Sequence, residues 1–249
     1  MKNINGKVVF ITGGSQGLGA SISKRFADEG AKIAIFSIDT ALDKKLEAEL
    51  QSKTEVLFIK GDTRNSADIK NAMEIILARF GTLDFAINCA GVTGAMHPFV
   101  DMPENEYDFV MDVNVKGVFL CMQEELKIML KNKSGKIVNI GSEATFTAGH
   151  PLRSVYCISK HALGGLTRNA AIAYADTGIN INAIAPGTML TPLVAAFPQD
   201  QQDALANTRP TKRFVSIDSV ASMAVYLCSD LANDMVGSIV NMDGGKTAM

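Results

Sequence analysis

Cysteine is scarce in this chain, and the spacing of the few that occur excludes two kinds of site. The 249 residues include only Cys89, Cys121, Cys157 and Cys228. No two of them are close enough in the chain to form the short ligand pair of a zinc site. A chain of this length with so few cysteines is also not a disulfide scaffold. We therefore expect free thiols, which are typical of a reducing compartment.

The sequence also lacks an excess of one charge and lacks long apolar runs. It has 24 basic and 26 acidic residues, a net charge of −2, so nothing in it favours nucleic acid or an anionic membrane surface as a partner. No stretch approaches the roughly 18 consecutive apolar residues of a membrane span. Residues 1–7 are polar and lack the apolar core of a signal peptide. We predict a cytoplasmic protein with neither a nucleic-acid nor a membrane partner.

What the sequence does contain is a regular alternation of two patterns. Short apolar runs rich in β-branched residues predict strands at residues 8–11, 33–36, 56–59, 83–87, 137–140, 179–184 and 238–240. Helical periodicity fills the stretches between them, with apolar stripes through Leu18, Ile22 and Phe26, through Leu42, Leu46 and Leu50, and across residues 66–80, 105–131, 155–177 and 217–228. Continuous apolar strands separated by helices are typical of a parallel sheet covered on both faces. Without a linker or repeat, residues 1–249 are predicted to form one doubly wound α/β domain of about seven strands.

A glycine-rich turn follows the first predicted strand. Residues 12–19 read T-G-G-S-Q-G-L-G and lead into a helix. Such glycines let backbone N–H groups approach a pyrophosphate at the positive end of the helix. Ala20 follows Gly19, where a phosphate-binding loop of the NTPase type needs lysine. Residues 13–17 also match the G-x-S-x-G elbow of hydrolases, but the last histidine, His161, lies too early in the chain for that fold.

A second group of polar residues predicts acid–base chemistry. Tyr156 and Lys160 stand four apart at the start of a helix and therefore project from one face. A nearby ammonium favours the phenolate of a tyrosine and lowers its pKa. Ser142 follows the fifth strand at the sheet edge where doubly wound folds hold ligands. Asn114 interrupts an apolar helical run, and a buried asparagine needs hydrogen-bond partners.

Taken in chain order, these motifs resemble the short-chain dehydrogenase/reductase family, from Lys7 to Gly245. The matching segments are residues 12–19, Asp62, the N-C-A-G segment 88–91, Asn114, Ser142, Tyr156-x-x-x-Lys160, Pro186-Gly187 and the D-G-G segment 243–245. The resemblance implies a Rossmann fold and a nicotinamide cofactor.

The resemblance also assigns roles to individual residues. It makes Tyr156 the general acid/base and has Ser142 orient the substrate oxygen. Lys160 would lower the pKa of Tyr156 and bind the nicotinamide ribose, while Asn114 would help to hold a proton-relay water. Besides Tyr156 and Lys160, the implied cofactor contacts are Gly13, Ser15, Gln16, Gly17, Leu18, Gly19, Ser37, Asp39, Asp62, Thr63, Asn88, Ala90, Gly91, Pro186, Gly187 and Thr188.

Two departures from the family pattern bear on specificity. The loop between Ser142 and Tyr156 is one residue longer than usual in the family. The usual acid of NAD-using relatives is absent at Ser37, and the arginine of many NADP users is absent at Ile38. A 2′-phosphate needs a basic partner, whereas Asp39 would repel it. We therefore expect NAD rather than NADP.

The predicted activity is hydride transfer between a nicotinamide cofactor and a secondary alcohol or ketone. One alternative is a 3-oxoacyl carrier-protein reductase, whose docking patch would include Lys131, Lys133 and Lys136. A further alternative is a regulator that binds the nucleotide without turnover. The apolar surface of residues 105–131 exceeds one sheet-facing stripe, and the resemblance then implies a homotetramer.

Overall fold

The computed structural model describes residues 3–39 and 43–249. Within these ranges the strands are Val8–Thr12 (β1), Lys32–Ser37 (β2), Val56–Lys60 (β3), Phe85–Asn88 (β4), Gly135–Ile140 (β5), Ile179–Pro186 (β6) and Ile239–Met242 (β7). The α-helices are Gly17–Asp28 (α1), Asp43–Gln51 (α2), Ser66–Phe80 (α3), Glu104–Met111 (α4), Val118–Asn132 (α5), Ser154–Ala173 (α6), Pro192–Ala195 (α7), Gln199–Asn207 (α8) and Ile217–Cys228 (α9). No helix in this part of the chain is long and apolar enough to cross a membrane.

The described strands form one seven-stranded parallel sheet in the order β3-β2-β1-β4-β5-β6-β7. The order reverses between β1 and β4, which are neighbours in the sheet although two strands intervene in the chain. Thr12, the last residue of β1, pairs with Phe36 on one side and Asn88 on the other. The loops that leave these strands therefore meet at one edge of the sheet, where doubly wound folds bind ligands.

Helices cover both faces of the sheet, as the sequence predicted. Side chains from α1, α2 and α9 pack on one face, and those from α3, α5 and α6 pack on the other. Successive residues of β1 serve the two faces in turn, because strand side chains alternate: Val9 and Ile11 enter the first core and Val8 and Phe10 the second. A strand buried on both faces explains why β1 is continuously apolar.

The predicted strands and the helices at 66–80 and 217–228 are confirmed, whereas three other segments differ from expectation. The predicted helix 105–131 is interrupted by the π-helix Asp112–Gly117 between α4 and α5. The predicted helix 155–177 ends at Ala173, followed by the 3₁₀ turn Ala175–Thr177. Segment 188–214, which has no clear periodicity, contains the short helices α7 and α8. Leu42 of the predicted second helix lies outside the described residues.

Candidate active site

The glycine-rich turn between β1 and α1 is shaped for close backbone approach. Gly13 and Gly17 have φ values of 65° and 53°, in the left-handed region that favours glycine. A Cβ on Gly19 would lie 2.1 Å from the carbonyl oxygen of Gly13, so no other residue fits there. Gln16, the exposed N-cap of α1, makes no capping hydrogen bond through its side chain. The N–H groups of the first turn can therefore receive a phosphate, and the cradle fits a dinucleotide.

The turn is held against the end of β4 by Thr12. Its hydroxyl accepts hydrogen bonds from the backbone N–H groups of Cys89 and Ala90, at 3.0 and 3.1 Å. A Cβ on Gly13 would lie 3.0 Å from the Cα of Ala90, so the two segments are in direct contact. Leu18 packs its side chain into the core, and only its backbone is available to a ligand. Thr12 is the last residue of β1. This place at the end of the strand is the sequence feature that could have indicated that Thr12 fixes the turn against β4.

The end of β2 carries the residues expected to meet the adenosine ribose. The hydroxyl groups of Ser15 and Ser37 are buried and lie 2.9 Å apart, within hydrogen-bond distance. Ser37 Oγ also donates to the backbone carbonyl of Asp39 at 3.2 Å. Asp39 itself is exposed, as is Ile38. The loop thus presents two hydroxyl groups and a carboxylate.

Two further predicted cofactor residues follow β3. Arg64 donates to both carboxylate oxygens of Asp62 through Nε, at 3.1 and 2.9 Å. This guanidinium holds the pKa of Asp62 below its usual value. Thr63 is buried against the π-helix, where a Cβ on Gly117 would lie 2.8 Å from its hydroxyl. Asp62 is therefore an ionised group at the edge of the sheet, whereas the side chain of Thr63 packs against the π-helix.

Asn88 was expected to line the cofactor cleft, but its side chain points into the core. Asn88 Nδ2 donates to Glu125 at 3.2 Å and to Asn139 at 3.0 Å. Asn139 in turn donates to Thr167 at 3.0 Å. The sequence pattern missed Glu125, which lies on α5 and is fully buried. The physical reason for the difference is that the Asn88 amide N–H groups find buried acceptors on Glu125 and Asn139, which leaves only the backbone of Asn88 near the cleft.

The four predicted catalytic residues converge beyond the ends of β4 and β5. The side chain of Ser142 is close enough to that of Tyr156 to lower the pKa of the phenol. The ammonium of Lys160 lies 5.7 Å from the centre of the Tyr156 ring and donates to the carbonyl of Ile140 at 2.9 Å. Burial lowers the pKa of Lys160 to about 8. The spacing of Tyr156 and Lys160 on α6 thus places both groups at the same site as Ser142.

Burial has the largest influence on the pKa of Tyr156 in this structure. It raises the pKa of the phenol, while the hydrogen bond with Ser142 and the charge of Arg153 lower that pKa. The carboxylate of Glu143 acts in the opposite direction and raises the pKa of Tyr156. The net result is a pKa above the usual value, whereas Lys160 was expected to depress it. Burial of the phenol is the physical reason for the difference, because desolvation disfavours the charged phenolate.

Asn114 sits in the π-helix, and its side chain is fully engaged. Its Nδ2 donates to the carbonyl of Val92 at 2.8 Å and to the hydroxyl of Ser159 at 3.0 Å, while its Oδ1 accepts from the N–H of Val92 at 2.8 Å. Ser159 donates to the backbone carbonyl of Tyr156 at 2.7 Å. π-Helical turns occur frequently at functional sites. The π-helix places Asn114 where its side chain connects the loop after β4 to α6, the helix that carries Tyr156.

The remaining predicted contacts lie nearby, on both sides of this group. A Cβ on Gly91 would lie 3.3 Å from Asn114 Oδ1 and 3.7 Å from Lys160 Nζ, which places Gly91 beside the catalytic side chains. Pro186 ends β6, and the N–H of Gly187 donates to Met242 on β7 at 3.0 Å.

Thr188 contacts Arg209, a residue that the sequence analysis did not single out. Its hydroxyl accepts a hydrogen bond of 2.6 Å from Arg209. Arg209 is buried and forms an ion pair of 3.0 Å with Glu143. No local pattern marks Arg209, because its partners are distant in the chain.

The lengthened loop after Ser142 is tied to its surroundings. It begins with the 3₁₀ turn Glu143–Thr145, in which Ser142 accepts from the N–H of Ala144 at 3.2 Å. Farther along, the carbonyl of Leu152 accepts from the N–H of His97 at 3.0 Å. The extra residue therefore lies in a loop that contacts the segment after β4.

The interpretation as a carrier-protein reductase loses support, because its docking patch is incomplete. Lys136, one of three lysines expected to form a carrier-protein docking patch, is buried and donates to the carbonyl of Ser229 at 3.3 Å. It is unavailable to a partner because β5 carries it inside the fold. Within residues 3–39 and 43–249, no group of three or more metal-ligating side chains was found.

Comparisons with known proteins agree with this geometry. A family model described as enoyl-(acyl carrier protein) reductase matches residues 13–247. Levodione reductase of Leifsonia aquatica is 34% identical over 97% of this chain and 94% of its own length. A crystal structure of levodione reductase superposes with a TM-score of 0.93 over 98% of both chains, at 34% identity.

Two further proteins extend the comparison. The cis-4-hydroxycyclohexanecarboxylate dehydrogenase of Sinomonas cyclohexanicum is 32% identical over 98% of this chain and 97% of its own. A crystal structure of NAD⁺-bound xylitol dehydrogenase has a TM-score of 0.92 and 28% identity, covering 98% of this chain and 100% of that one.

Proposed function

Because the chain belongs to the short-chain dehydrogenase/reductase family and is an oxidoreductase of alcohols and ketones, we propose that Asn114, Ser142, Tyr156 and Lys160 carry its chemistry. The observation that carries this proposal is the buried ammonium of Lys160 at 5.7 Å from the ring centre of Tyr156, fixed by its bond to Ile140, with Ser142 close enough to lower the pKa of the phenol. A nicotinamide cofactor accepts or supplies the hydride when it is bound. The protein orients the substrate and moves the proton.

In the direction of alcohol oxidation, Tyr156 accepts the hydroxyl proton of the substrate. Ser142 lies close enough to the phenol to lower its pKa, so its hydroxyl is within reach of an oxygen that Tyr156 protonates or deprotonates. In ketone reduction the same groups act in reverse: Tyr156 donates the proton and Ser142 polarises the carbonyl. Lys160 favours the phenolate through its positive charge and contacts the nicotinamide ribose.

Asn114 is a positioning residue in this proposal. Its contacts with Val92 and Ser159 fix the loop after β4 relative to α6. The hydroxyl of Ser159 lies between Asn114, from which it accepts a hydrogen bond, and the backbone carbonyl of Tyr156, to which it donates. A proton-relay water held near Asn114 and Lys160 would connect the phenol to solvent.

The cofactor would lie along the edge of the sheet from β2 to β6. The N–H groups at the start of α1 hold the pyrophosphate, and Gly91, Gly187 and Thr188 line the nicotinamide end. We propose NAD(H) as the preferred cofactor. Its support is the pair of hydroxyl groups of Ser15 and Ser37 at the ribose position and the lack of a basic residue at Gln16 and Ile38.

Turnover with defined substrates tests this function. Purified protein is incubated with secondary alcohols plus NAD or NADP, and with ketones plus the reduced cofactors, while the near-ultraviolet absorbance of the reduced nicotinamide is followed. We expect steady turnover with at least one alcohol–ketone pair and a higher kcat/KM with NAD(H). The absence of turnover with every pair, from protein that binds the cofactor, would contradict the assignment.

A second candidate, reduction of a carrier-protein thioester, is favoured by the description of the matching family model. Burial of Lys136 weakens the basic docking patch that this function would use. The same assay with a 3-oxoacyl thioester distinguishes the two, since a kcat/KM above that for simple ketones would favour the carrier-protein substrate.

We also propose that the chain is a single domain that assembles as a cytoplasmic homotetramer. Apolar side chains stay exposed around α4, α5 and α6, among them Phe109, Phe119, Ile158 and Ile172. An exposed apolar surface of this kind is typical of a subunit contact. The four free cysteines fit a reducing compartment. Light scattering should return the mass of four chains, and a monomer at micromolar concentration would contradict this assembly.

A further inference from the structure

A buried ion pair adjoins the catalytic group and belongs to no part of the mechanism above. Glu143 follows Ser142 directly in the chain, and its carboxylate accepts from Arg209 at 3.0 Å. The side chain of Arg209 is 1% exposed and that of Glu143 is 21% exposed. Burial raises the pKa of Glu143, and the charge of Arg209 acts against that rise. A buried guanidinium thus holds a partly exposed carboxylate beside Ser142.

The hydrogen bonds of Arg209 show that the carboxylate has spare acceptor capacity. One terminal nitrogen of the guanidinium donates to the carbonyl of Leu205 and the hydroxyl of Thr208, at 2.9 and 3.1 Å. The other has two N–H groups for three acceptors: Thr188 at 2.6 Å and both oxygens of Glu143 at 3.0 Å. The two carboxylate oxygens therefore share about one N–H between them.

The carboxylate also lies where a substrate would meet it. Its charge acts on the phenol of Tyr156, and Ser142 is its neighbour in the chain. A Cβ on Gly187 would lie 2.9 Å from both Glu143 Oε2 and Arg209 Nε. Only glycine at this position lets the ion pair pack against the end of β6, which is the nicotinamide end of the proposed cleft.

From these observations we propose that Glu143 accepts a hydrogen bond from a second hydroxyl group of the substrate, so that the enzyme acts on diols, polyols or hydroxyketones. This proposal rests on the proposed function. The carboxylate is 21% exposed, so it can be reached from the cleft, and its spare acceptor capacity can take a hydrogen bond from a hydroxyl group. Arg209 already balances its charge, so the matching group is a neutral hydroxyl rather than a cation. Arg209 is the positioning residue that fixes the carboxylate.

A matched pair of alcohols tests the proposal. The probes are cyclohexane-1,2-diol and cyclohexanol, which differ by one hydroxyl group beside the reacting carbon. We expect wild-type kcat/KM for the diol to exceed that for cyclohexanol by about tenfold or more, since the second hydroxyl group donates to a charged acceptor. In Glu143→Gln this ratio should fall, because the amide is a weaker, uncharged acceptor.

A double variant keeps the test independent of folding. Glu143→Leu with Arg209→Met replaces the ion pair by apolar groups of similar size, a change that buried pairs often tolerate. The ratio of kcat/KM for diol to monoalcohol should fall by about tenfold in this variant. The control is Asp84→Asn, which removes a carboxylate of 19% exposure paired with Lys7 at 2.9 Å at the opposite edge of the sheet. Its ratio should equal that of the wild type.

Three outcomes separate the possible failures. If wild-type protein oxidises both probes with equal efficiency, the assignment of Glu143 is wrong and the proposed function stands. If the double variant keeps the wild-type ratio but binds the cofactor more weakly, Glu143 contacts the nicotinamide instead, and the assignment is again wrong. If no alcohol of any kind is oxidised, the proposed function fails first, and this proposal fails with it.

Discussion

The ammonium of Lys160 donates a hydrogen bond of 2.9 Å to the carbonyl of Ile140. Ile140 is the last residue of β5, two positions before Ser142, so this contact joins the helix that carries Tyr156 to the strand that carries its partner. Burial lowers the pKa of Lys160 to about 8, and the group stays largely protonated at neutral pH. A cation fixed in this way stabilises the geometry between Ser142 and Tyr156.

Gly19→Ala should weaken cofactor binding. The new Cβ would lie 2.1 Å from the carbonyl oxygen of Gly13, so the turn must change shape and its N–H groups lose their arrangement. Calorimetric titration with NADH should show a dissociation constant raised by at least about tenfold, which corresponds to about 1.4 kcal/mol.

Gly81→Ala is the matched control. Gly81 ends α3 at a φ of 78° and faces open space, so its replacement introduces backbone strain far from the turn. It should lower stability by about 1 kcal/mol and leave NADH affinity unchanged. Equal affinity in Gly19→Ala and the wild type would show that the turn does not bind the cofactor.

Ile38→Arg should shift cofactor preference toward NADP(H). Ile38 is 69% exposed directly after β2, where a guanidinium can reach a 2′-phosphate on the ribose. A hydrogen bond to a charged group contributes about 1.5–3 kcal/mol, so the ratio of kcat/KM with NADP to that with NAD should rise by about 10- to 100-fold. Ile38→Gln, which adds a polar chain without charge, should leave the ratio nearly unchanged. A shift of equal size in both variants would argue against charge recognition.

Glu125→Gln should stabilise the protein at neutral and alkaline pH. Burial raises the pKa of Glu125 from 4.5 to about 8, so the folded state binds this proton more tightly than the unfolded state. Wild-type stability therefore falls as pH rises from about 4.5 to about 8. A neutral amide removes this loss, and its N–H can donate to Asn88 Oδ1, which has no partner among the described residues.

Denaturant unfolding between these two pH values measures the effect. The stability of Glu125→Gln relative to wild type should grow by on the order of 3 kcal/mol across the range. The control is Glu124→Gln, which changes the neighbouring carboxylate that pairs with Lys127 at 2.7 Å and should keep the wild-type slope. Parallel curves for wild type and Glu125→Gln would mean that Glu125 is not a buried neutral acid.

Arg153→Gln should move the pH dependence of alcohol oxidation to higher pH. The guanidinium lowers the pKa of Tyr156, so its removal raises that pKa and the phenolate forms only in more alkaline solution. The rising limb of kcat/KM against pH should shift accordingly. Arg168→Gln, an exposed arginine farther along α6 whose guanidinium lies 5.9 Å from the Phe146 ring, should leave the profile in place. An unchanged profile, or a shift to lower pH, in Arg153→Gln would contradict the claim that Arg153 lowers the pKa of Tyr156.

Local patterns predicted most of the fold because each element carries its own signal. The apolar runs of the strands and the stripe of α3 needed no distant information; α3 begins at Asn65, whose side chain accepts from the N–H of Ala67, and ends at Gly81. The π-helix at Asp112–Gly117 was not predictable in this way. It contains Asn114, whose side chain bonds to Val92, a loop residue that only the folded chain brings close.

The same distinction applies to the candidate site. Tyr156 and Lys160 are neighbours on one helix face, so their spacing predicts their meeting. The pairs Glu143–Arg209 and Asn88–Glu125 join separate segments, and no spacing rule connects them. The direction of the Tyr156 pKa also required the structure, because it depends on how deeply the phenol is buried.

The turnover of Tyr156→Phe tests the central claim most directly. The variant removes the phenolic hydroxyl, whose pKa Ser142 lowers, and leaves the ring at the site. Loss of a positioned acid/base lowers kcat by about 10²- to 10⁴-fold, while NADH affinity should change little. Tyr226→Phe, which removes a hydroxyl bonded to the carbonyl of Leu231 at 3.3 Å, should keep wild-type turnover. Turnover of Tyr156→Phe within a few-fold of wild type would contradict the assignment of Tyr156 as the general acid/base.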